Sequence, residues 1–252
     1  MTFETKKNIV IAGHRGNPAA FPENTMDSFR SAVELGVDMV ETDIHVSRDG
    51  KLVLIHDHEV DRTTDGTGLV REKTFEELEA LNAGTAERPA KIPTLREFLE
   101  YCAGVPGLFL NLEMKVYLDD EGPERVAYAV DETVKLCEEL GLSKRILFNS
   151  FDAYVLEYLY KTYGRKYLLH GYYPYDIMSH VELDPAEYLD YACYWSSGEG
   201  AKRKCGELKA LGIQPCTGSN TKEADFYEAA SYGCGMFTEN DPKSALAWRE
   251  SL

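Results

Sequence analysis

No run of about eighteen apolar residues occurs anywhere in the 252-residue chain, which argues against a membrane-spanning helix. Met1 to Asn8 lacks the hydrophobic stretch of a signal peptide, so a soluble, unexported, cytoplasmic protein is expected. Positive charge is scarce: 27 Lys and Arg stand against 43 Asp and Glu, for a net charge of −16. Such a field repels nucleic-acid phosphates and anionic lipid surfaces, so neither a nucleic-acid partner nor stable membrane association is expected. A phosphate-bearing ligand would need a locally positive pocket. The six cysteines, Cys102, Cys137, Cys193, Cys205, Cys216 and Cys234, form no C-x-x-C pair and have no His partner at zinc-finger spacing. Reduced, mostly buried thiols are expected rather than a disulfide framework. Internal repeats, low-complexity tracts and linkers are missing too, so residues 1–252 read as a single domain. With 44% hydrophobic, 11% aromatic and 28% charged residues, the chain has the balance of a folded globular protein.

What is present is an alternation of β-rich and helix-patterned segments. Strand candidates are 8–13, 38–45, 52–56, 108–114, 146–151, 167–171, 191–195, 213–217 and 234–238. Helical spacing intervenes at 25–36, 123–140, 153–163, 201–211, 223–231 and 243–250. About 250 residues of repeated βα units is the usual size of a TIM (β/α)8 barrel, which therefore outranks an open doubly wound sheet. Nine strand segments are one too many for such a barrel. Only Val46 to Lys51 separate the second and third, too few for a parallel crossover, so these two read as an antiparallel hairpin turning at Asp49-Gly50. Residues 59–95, rich in turn residues, read as an insertion after the third strand that could wall or cover one end of the barrel.

Charged groups cluster at the carboxyl ends of the early strands, where barrel enzymes place their sites. His14 and Arg15 follow the first, Glu41 and Asp43 lie on the second, His56 and Asp57 end the third, and Glu113 and Lys115 end the fourth. Residues two apart on a strand share a face, so Glu41 with Asp43, and Glu113 with Lys115, aim at a common centre. Three converging carboxylates repel one another unless a cation compensates, and hard oxygen donors suit Mg²⁺ or Ca²⁺. A turn at Asp49-Gly50 sets His56 opposite Asp43, and a turn at Arg48-Asp49 sets it opposite Glu41; either register puts it on the carboxylate face. Taken singly, Glu-x-Asp is usually a solvated strand face, His-Asp a surface pair and Lys115 a rim charge. Their joint occurrence on four successive strand ends makes those readings improbable. His45, His58, His170 and His180 read as structural, and Tyr172-Tyr173-Pro174-Tyr175 as a packed loop.

His14-Arg15-Gly16, Pro22-Glu23-Asn24-Thr25, Glu41-x-Asp43, Ser47-Arg48-Asp49-Gly50 leading to His56-Asp57, and Asn111-x-Glu113-x-Lys115 together resemble the glycerophosphodiester phosphodiesterase family. The likeness is strongest over residues 8–115 and continues through Asn149-Ser150-Phe151. It departs late, with Cys216 where the family tends to carry tryptophan and Thr238-Glu239-Asn240-Asp241-Pro242 for the usual Thr-Asp-x-Pro. The resemblance implies a TIM barrel that hydrolyses glycerophosphodiesters to sn-glycerol 3-phosphate and an alcohol. The chemistry asks for the same residue types: a divalent cation on Glu41, Asp43 and Glu113, positive charge from Arg15 and Lys115 for the phosphate, and His14 and His56 as an acid and base pair. Which histidine is the acid, and whether water or a substrate hydroxyl attacks, stays open at this level. Two alternatives are a related barrel phospholipase acting on intact phospholipid and a catalytically silent barrel that binds phosphorylated metabolites.

Overall fold

The computed structural model describes residues 8–219 and 223–252. Eight parallel strands close into a barrel: β1 (Val10–Gly13), β2 (Met39–Val46), β4 (Phe109–Met114), β5 (Ile146–Asn149), β6 (Leu168–Tyr173), β7 (Tyr191–Tyr194), β8 (Gln214–Gly218) and β9 (Met236–Glu239). Closure comes from β1, which pairs with β2 on one side and β9 on the other. A ninth strand, β3 (Leu52–Leu54), runs antiparallel on the outer edge of β2. The expected barrel and the extra hairpin strand are therefore both present. Every residue of β2 is buried, because its lumen face packs against the other strands and its outer face under helices.

The hairpin turns differently from either expected register. Val46 pairs with Leu52, and Ser47 and Lys51 close a three-residue loop of Arg48, Asp49 and Gly50. Gly50 sits at φ +86°, the left-handed position that such loops require, and Asp49 Oδ1 accepts from the Ser47 hydroxyl at 2.6 Å. Extended further, this register would set His56 against Thr42, on the wrong face. The ladder ends at Leu54, however, with Ile55 N–H donating to the Asp43 carbonyl, and the departing chain carries His56 to the barrel mouth.

Helices α1 (Met26–Leu35), α4 (Leu118–Glu139), α5 (Ala153–Tyr163), α6 (Gly198–Ala210), α7 (Glu223–Ser231) and α8 (Pro242–Ser251) match the expected segments. α4 begins earlier than expected, because a turn of helix precedes the break at Gly122-Pro123. Two helices were not anticipated: α2 (Phe75–Glu79) inside the insertion and α3 (Leu95–Ala103) just after it. Val60, Val70, Leu78, Ala83 and Ile92 of the insertion pack with Val53 and Ile55, from β3 and the residues after it, into a small core distinct from the large one that runs through the barrel and its helices. Tyr172 and Tyr173 belong to β6 and not to a loop. All six cysteines are buried free thiols, and among the described residues no helix is long and apolar enough to cross a membrane.

Candidate active site

Strand register sets the site. Glu41 pairs with Asn111; one pleat further on, Asp43, Glu113, Asn149 and His170 lie in one row across β2, β4, β5 and β6. Ligand oxygens of Glu41, Asp43 and Glu113 come within 4.8 Å of one another, with all three residues buried. Asn24 Nδ2 donates to Asp43 Oδ2 at 2.8 Å, and Asn149 Nδ2 and the Tyr172 hydroxyl donate to Glu113 Oε2 at 3.0 and 3.1 Å. Glu41 Oε1 and Asp43 Oδ1 accept no hydrogen bond from the described residues. Buried oxygens left in this way are costly unless a ligand engages them.

The loop after β1 supplies His14 and Arg15. Arg15 takes φ +56°, which turns its own N–H onto Glu41 Oε2 at 2.7 Å. Gly16 follows at φ +89°, and a Cβ there would stand 2.6 Å from the backbone carbon of Ser28, so the loop needs glycine on both counts. The Arg15 guanidinium lies 3.4 Å from Asp43 Oδ2 and 2.8 Å from Glu23 Oε1. Lys115 Nζ is 3.3 Å from Asp43 Oδ1 and contacts Glu113 Oε1.

Three carboxylates thus face two fixed cations, one charge short of neutral. Burial, with repulsion from Asp43 and Glu113, pushes the Glu41 carboxyl well above its usual range. Burial pulls Asp43 the same way, but Lys115, His56 and Arg15 outweigh it and hold that carboxyl below its usual range. Burial opposes the Lys115 charge, yet Glu113 and Asp43 keep its ammonium strongly favoured. A missing positive charge, two unsatisfied oxygens and an all-oxygen donor set fit a hard divalent cation.

The two histidines flank this centre. His14 Nδ1 is 2.6 Å from Asn240 Oδ1, and its Nε2 is 4.0 Å from Glu41 Oε2. Burial and the Arg15 charge lower its pKa. His56 Nδ1 is 2.5 Å from Asp57 Oδ1. Asp57 is in turn gripped by Arg62 of the insertion, at 2.6 and 3.1 Å, and Arg62 also grips Glu23 at 2.7 and 3.0 Å. The pairs His56–Asp57–Arg62–Glu23–Arg15–Asp43 therefore form a continuous chain around the mouth of the site.

His14, Arg15, Glu41, His56, Glu113 and Lys115 all border one cavity of about 220 Å³, and Asp43 lies behind it through its contacts with Arg15 and Lys115. Two wider clefts of about 560 and 590 Å³ run along the insertion; neither is lined by the carboxylate cluster or the two histidines. Phe151, Tyr172 and Trp195 stack along one wall, with Phe151 and Tyr172 ring centroids 3.6 Å apart. Sequence reasoning did not give Tyr172, Arg62 or Asn240 a role, since the Tyr172–Glu113, Arg62–Glu23 and Asn240–His14 contacts join residues far apart along the chain. Of the histidines read as structural, His45 holds the His56 carbonyl at 3.2 Å and His180 pairs with Asp119 and Asp152, whereas His170 lines the cavity.

Fold and site together define a (β/α)8 barrel carrying a buried acidic cluster, flanked by basic groups and two histidines, at the carboxyl ends of its strands. The model of the glycerophosphoryl diester phosphodiesterase family matches residues 14–187, and the chain belongs to that family. It is 39% identical over 154 residues to a glycerophosphodiester phosphodiesterase of Caldanaerobacter subterraneus subsp. tengcongensis, a match covering 60% of each chain. It is also 39% identical over 123 residues to human glycerophosphodiester phosphodiesterase 1, covering 46% of this chain and 35% of that one. The matches thus span about 60% or less of these relatives' lengths. Similar solved structures include a glycerophosphodiester phosphodiesterase from Agrobacterium tumefaciens, with TM-score 0.76, 24% identity and coverage of 95% of this chain and 99% of that one. Another is an Oleispira antarctica phosphodiesterase in complex with the product sn-glycerol-3-phosphate, with TM-score 0.79, 22% identity and 96% coverage of each chain. At these identities the likeness establishes the fold.

Proposed function

We propose that the chain hydrolyses glycerophosphodiesters to sn-glycerol 3-phosphate and an alcohol, with Mg²⁺ or Ca²⁺ held by Glu41, Asp43 and Glu113. The observation that carries this reading is the cluster of those three buried carboxylates, two of them lining and one just behind the cavity that two basic groups and two histidines also border. Bound there, the cation would neutralise charge on the phosphoryl group and acidify an oxygen next to it. Arg15, with its fork of donors, and Lys115, as a point charge, offset the remaining negative charge as it develops.

The histidines divide the proton work by their partners. With Asn240 Oδ1 accepting from Nδ1–H, His14 presents an unprotonated Nε2 toward the cluster, and its lowered pKa keeps it neutral near pH 7. It is the base that takes the proton of the attacking hydroxyl. His56 is backed by the carboxylate of Asp57, a partner suited to a positively charged ring, and it donates to the departing alkoxide. The stacked rings of Phe151, Tyr172 and Trp195 give the cavity one apolar wall.

A coupled assay for glycerol 3-phosphate with glycerophosphocholine and other head groups tests the reading. Turnover should vanish on exhaustive chelation and return with Mg²⁺ or Ca²⁺. No product from any head group with either ion would overturn it, as would preference for intact phospholipid vesicles.

A further inference from the structure

Across the cavity from the carboxylates, one side chain from each of three consecutive strands converges: His170 of β6, Cys193 of β7 and Cys216 of β8. All three are buried, and their ligand atoms lie within 4.8 Å of one another. His170 Nε2 is 3.3 Å from Cys216 Sγ, while His170 Nδ1 is buried with no hydrogen-bond partner among the described residues. Cys193 and Cys216 are direct neighbours in the β7–β8 register, so the strands themselves fix two of the three positions. In a tetrahedral site with metal–sulfur bonds of about 2.3 Å and metal–nitrogen bonds of about 2.0–2.1 Å, ligand atoms stand roughly 3.5–3.8 Å apart. The observed spacing, 3.3 Å for His170 Nε2 to Cys216 Sγ and at most 4.8 Å for any pair, brackets that range.

The donors are of the opposite kind from the first cluster. Two sulfurs and an imidazole select soft or borderline ions, whereas three carboxylates select hard ones. Asn149 follows Glu113 in the row and precedes His170, and Tyr172 reaches Glu113 while its ring lies 5.4 Å from His170, so the two clusters are separated by side chains. His170 and Cys193 border the cavity directly.

We propose that His170, Cys193 and Cys216 form a second cation site, for a thiophilic ion of the zinc class, with three protein ligands and a fourth position open to the cavity. Binding replaces two S–H bonds by two sulfur–metal bonds and releases two protons to solvent, while the imidazole joins as a neutral donor.

The test is anaerobic titration of reduced, metal-stripped protein with Co²⁺ in the presence of excess Mg²⁺, which occupies the carboxylates and does not compete for thiolates. A thiolate-to-cobalt charge-transfer band should saturate at one equivalent and be erased by Zn²⁺. Binding should weaken roughly ten-fold or more in C193S, C216S and H170Q, each checked for native circular dichroism, and stay unchanged in C137A, whose thiol lies in α4. Three variants guard against one failing to fold. Absence of the band, or a band that persists in folded variants of the trio, overturns the site. This readout needs no turnover, so it stands or falls separately from the proposed hydrolysis. Only one consequence rests on that activity: zinc-class ions should inhibit it even at saturating Mg²⁺.

Discussion

Replacing Arg62 by alanine probes the chain of charges around the mouth of the site. Arg62 holds Asp57 and Glu23 with two contacts each, and so fixes the carboxylate behind His56 and the one beside Arg15. Its side chain is 49% exposed, so solvent screens these pairs and their loss should cost only about 0–1 kcal/mol each in stability. The fold should survive. Catalysis should not be so tolerant, because a misplacement of about 1 Å in a proton donor can cost on the order of 100-fold. We expect kcat to fall about 10- to 100-fold in R62A, equivalent to roughly 1.4–2.7 kcal/mol of barrier. Hydrogen bonds from Arg62 hold the Asp57 carboxyl below its ordinary range, and Arg62 together with Arg15 does the same for Glu23 against the opposing effect of burial. Without Arg62 both carboxyls move upward, and the acid limb of the pH–rate profile should shift to higher pH. R62K should restore little, since one ammonium cannot grip two carboxylates bidentately. A kcat for R62A within two-fold of wild type, with an unmoved acid limb, would refute the positioning role.

Three further outcomes follow from the same geometry. H14A and H56A should each lower kcat about 100-fold or more in the glycerol 3-phosphate assay, and a variant with wild-type kcat would remove that residue from the proton transfer. Burial and repulsion from Asp43 and Glu113 disfavour the Glu41 charge, so E41Q should not lower the metal-free melting temperature, while it should lose the upward shift that Mg²⁺ gives wild type in calorimetry. His45, whose pKa burial lowers to about 3, contributes stability that is intact above about pH 6.5 and lost as pH falls from there toward about 3. Urea unfolding of H45Q should therefore show a pH dependence shallower by about 1.4 kcal/mol per unit below pH 6.5, and parallel curves would count against a neutral buried imidazole.

Much of this was legible beforehand because the informative residues sit on strands. Period-two spacing put Glu41 with Asp43 and Glu113 with Lys115, and buried charge inside an apolar strand has few uses other than a site. The nine strands and the hairpin were readable for a related reason, since six residues cannot make a parallel crossover. His56 reached the expected place by another route, because turn length, which sets register, depends on whether Gly50 takes the left-handed position inside a two- or three-residue loop. α3 was missed although Leu95, Phe98, Leu99 and Cys102 stand at helical spacing, because the turn-rich segment before it obscured where the insertion stops. Arg62, Asn240, Tyr172 and the His170, Cys193 and Cys216 trio carry no local signal. Each gains meaning only when barrel closure brings distant strands and loops side by side.

The placement of β3 outside the ring has a mechanical consequence. His56 and Arg62 ride on an arm attached to the barrel along one edge, with a miniature core of its own beneath it. Such an arm can detach as a subglobal unit while the eight staves stay closed. Amides of β3 and of residues 59–93 should then exchange with deuterium well before those of β4 and β5, so that proton delivery can be switched by loosening one flap without unfolding the cask it is fastened to.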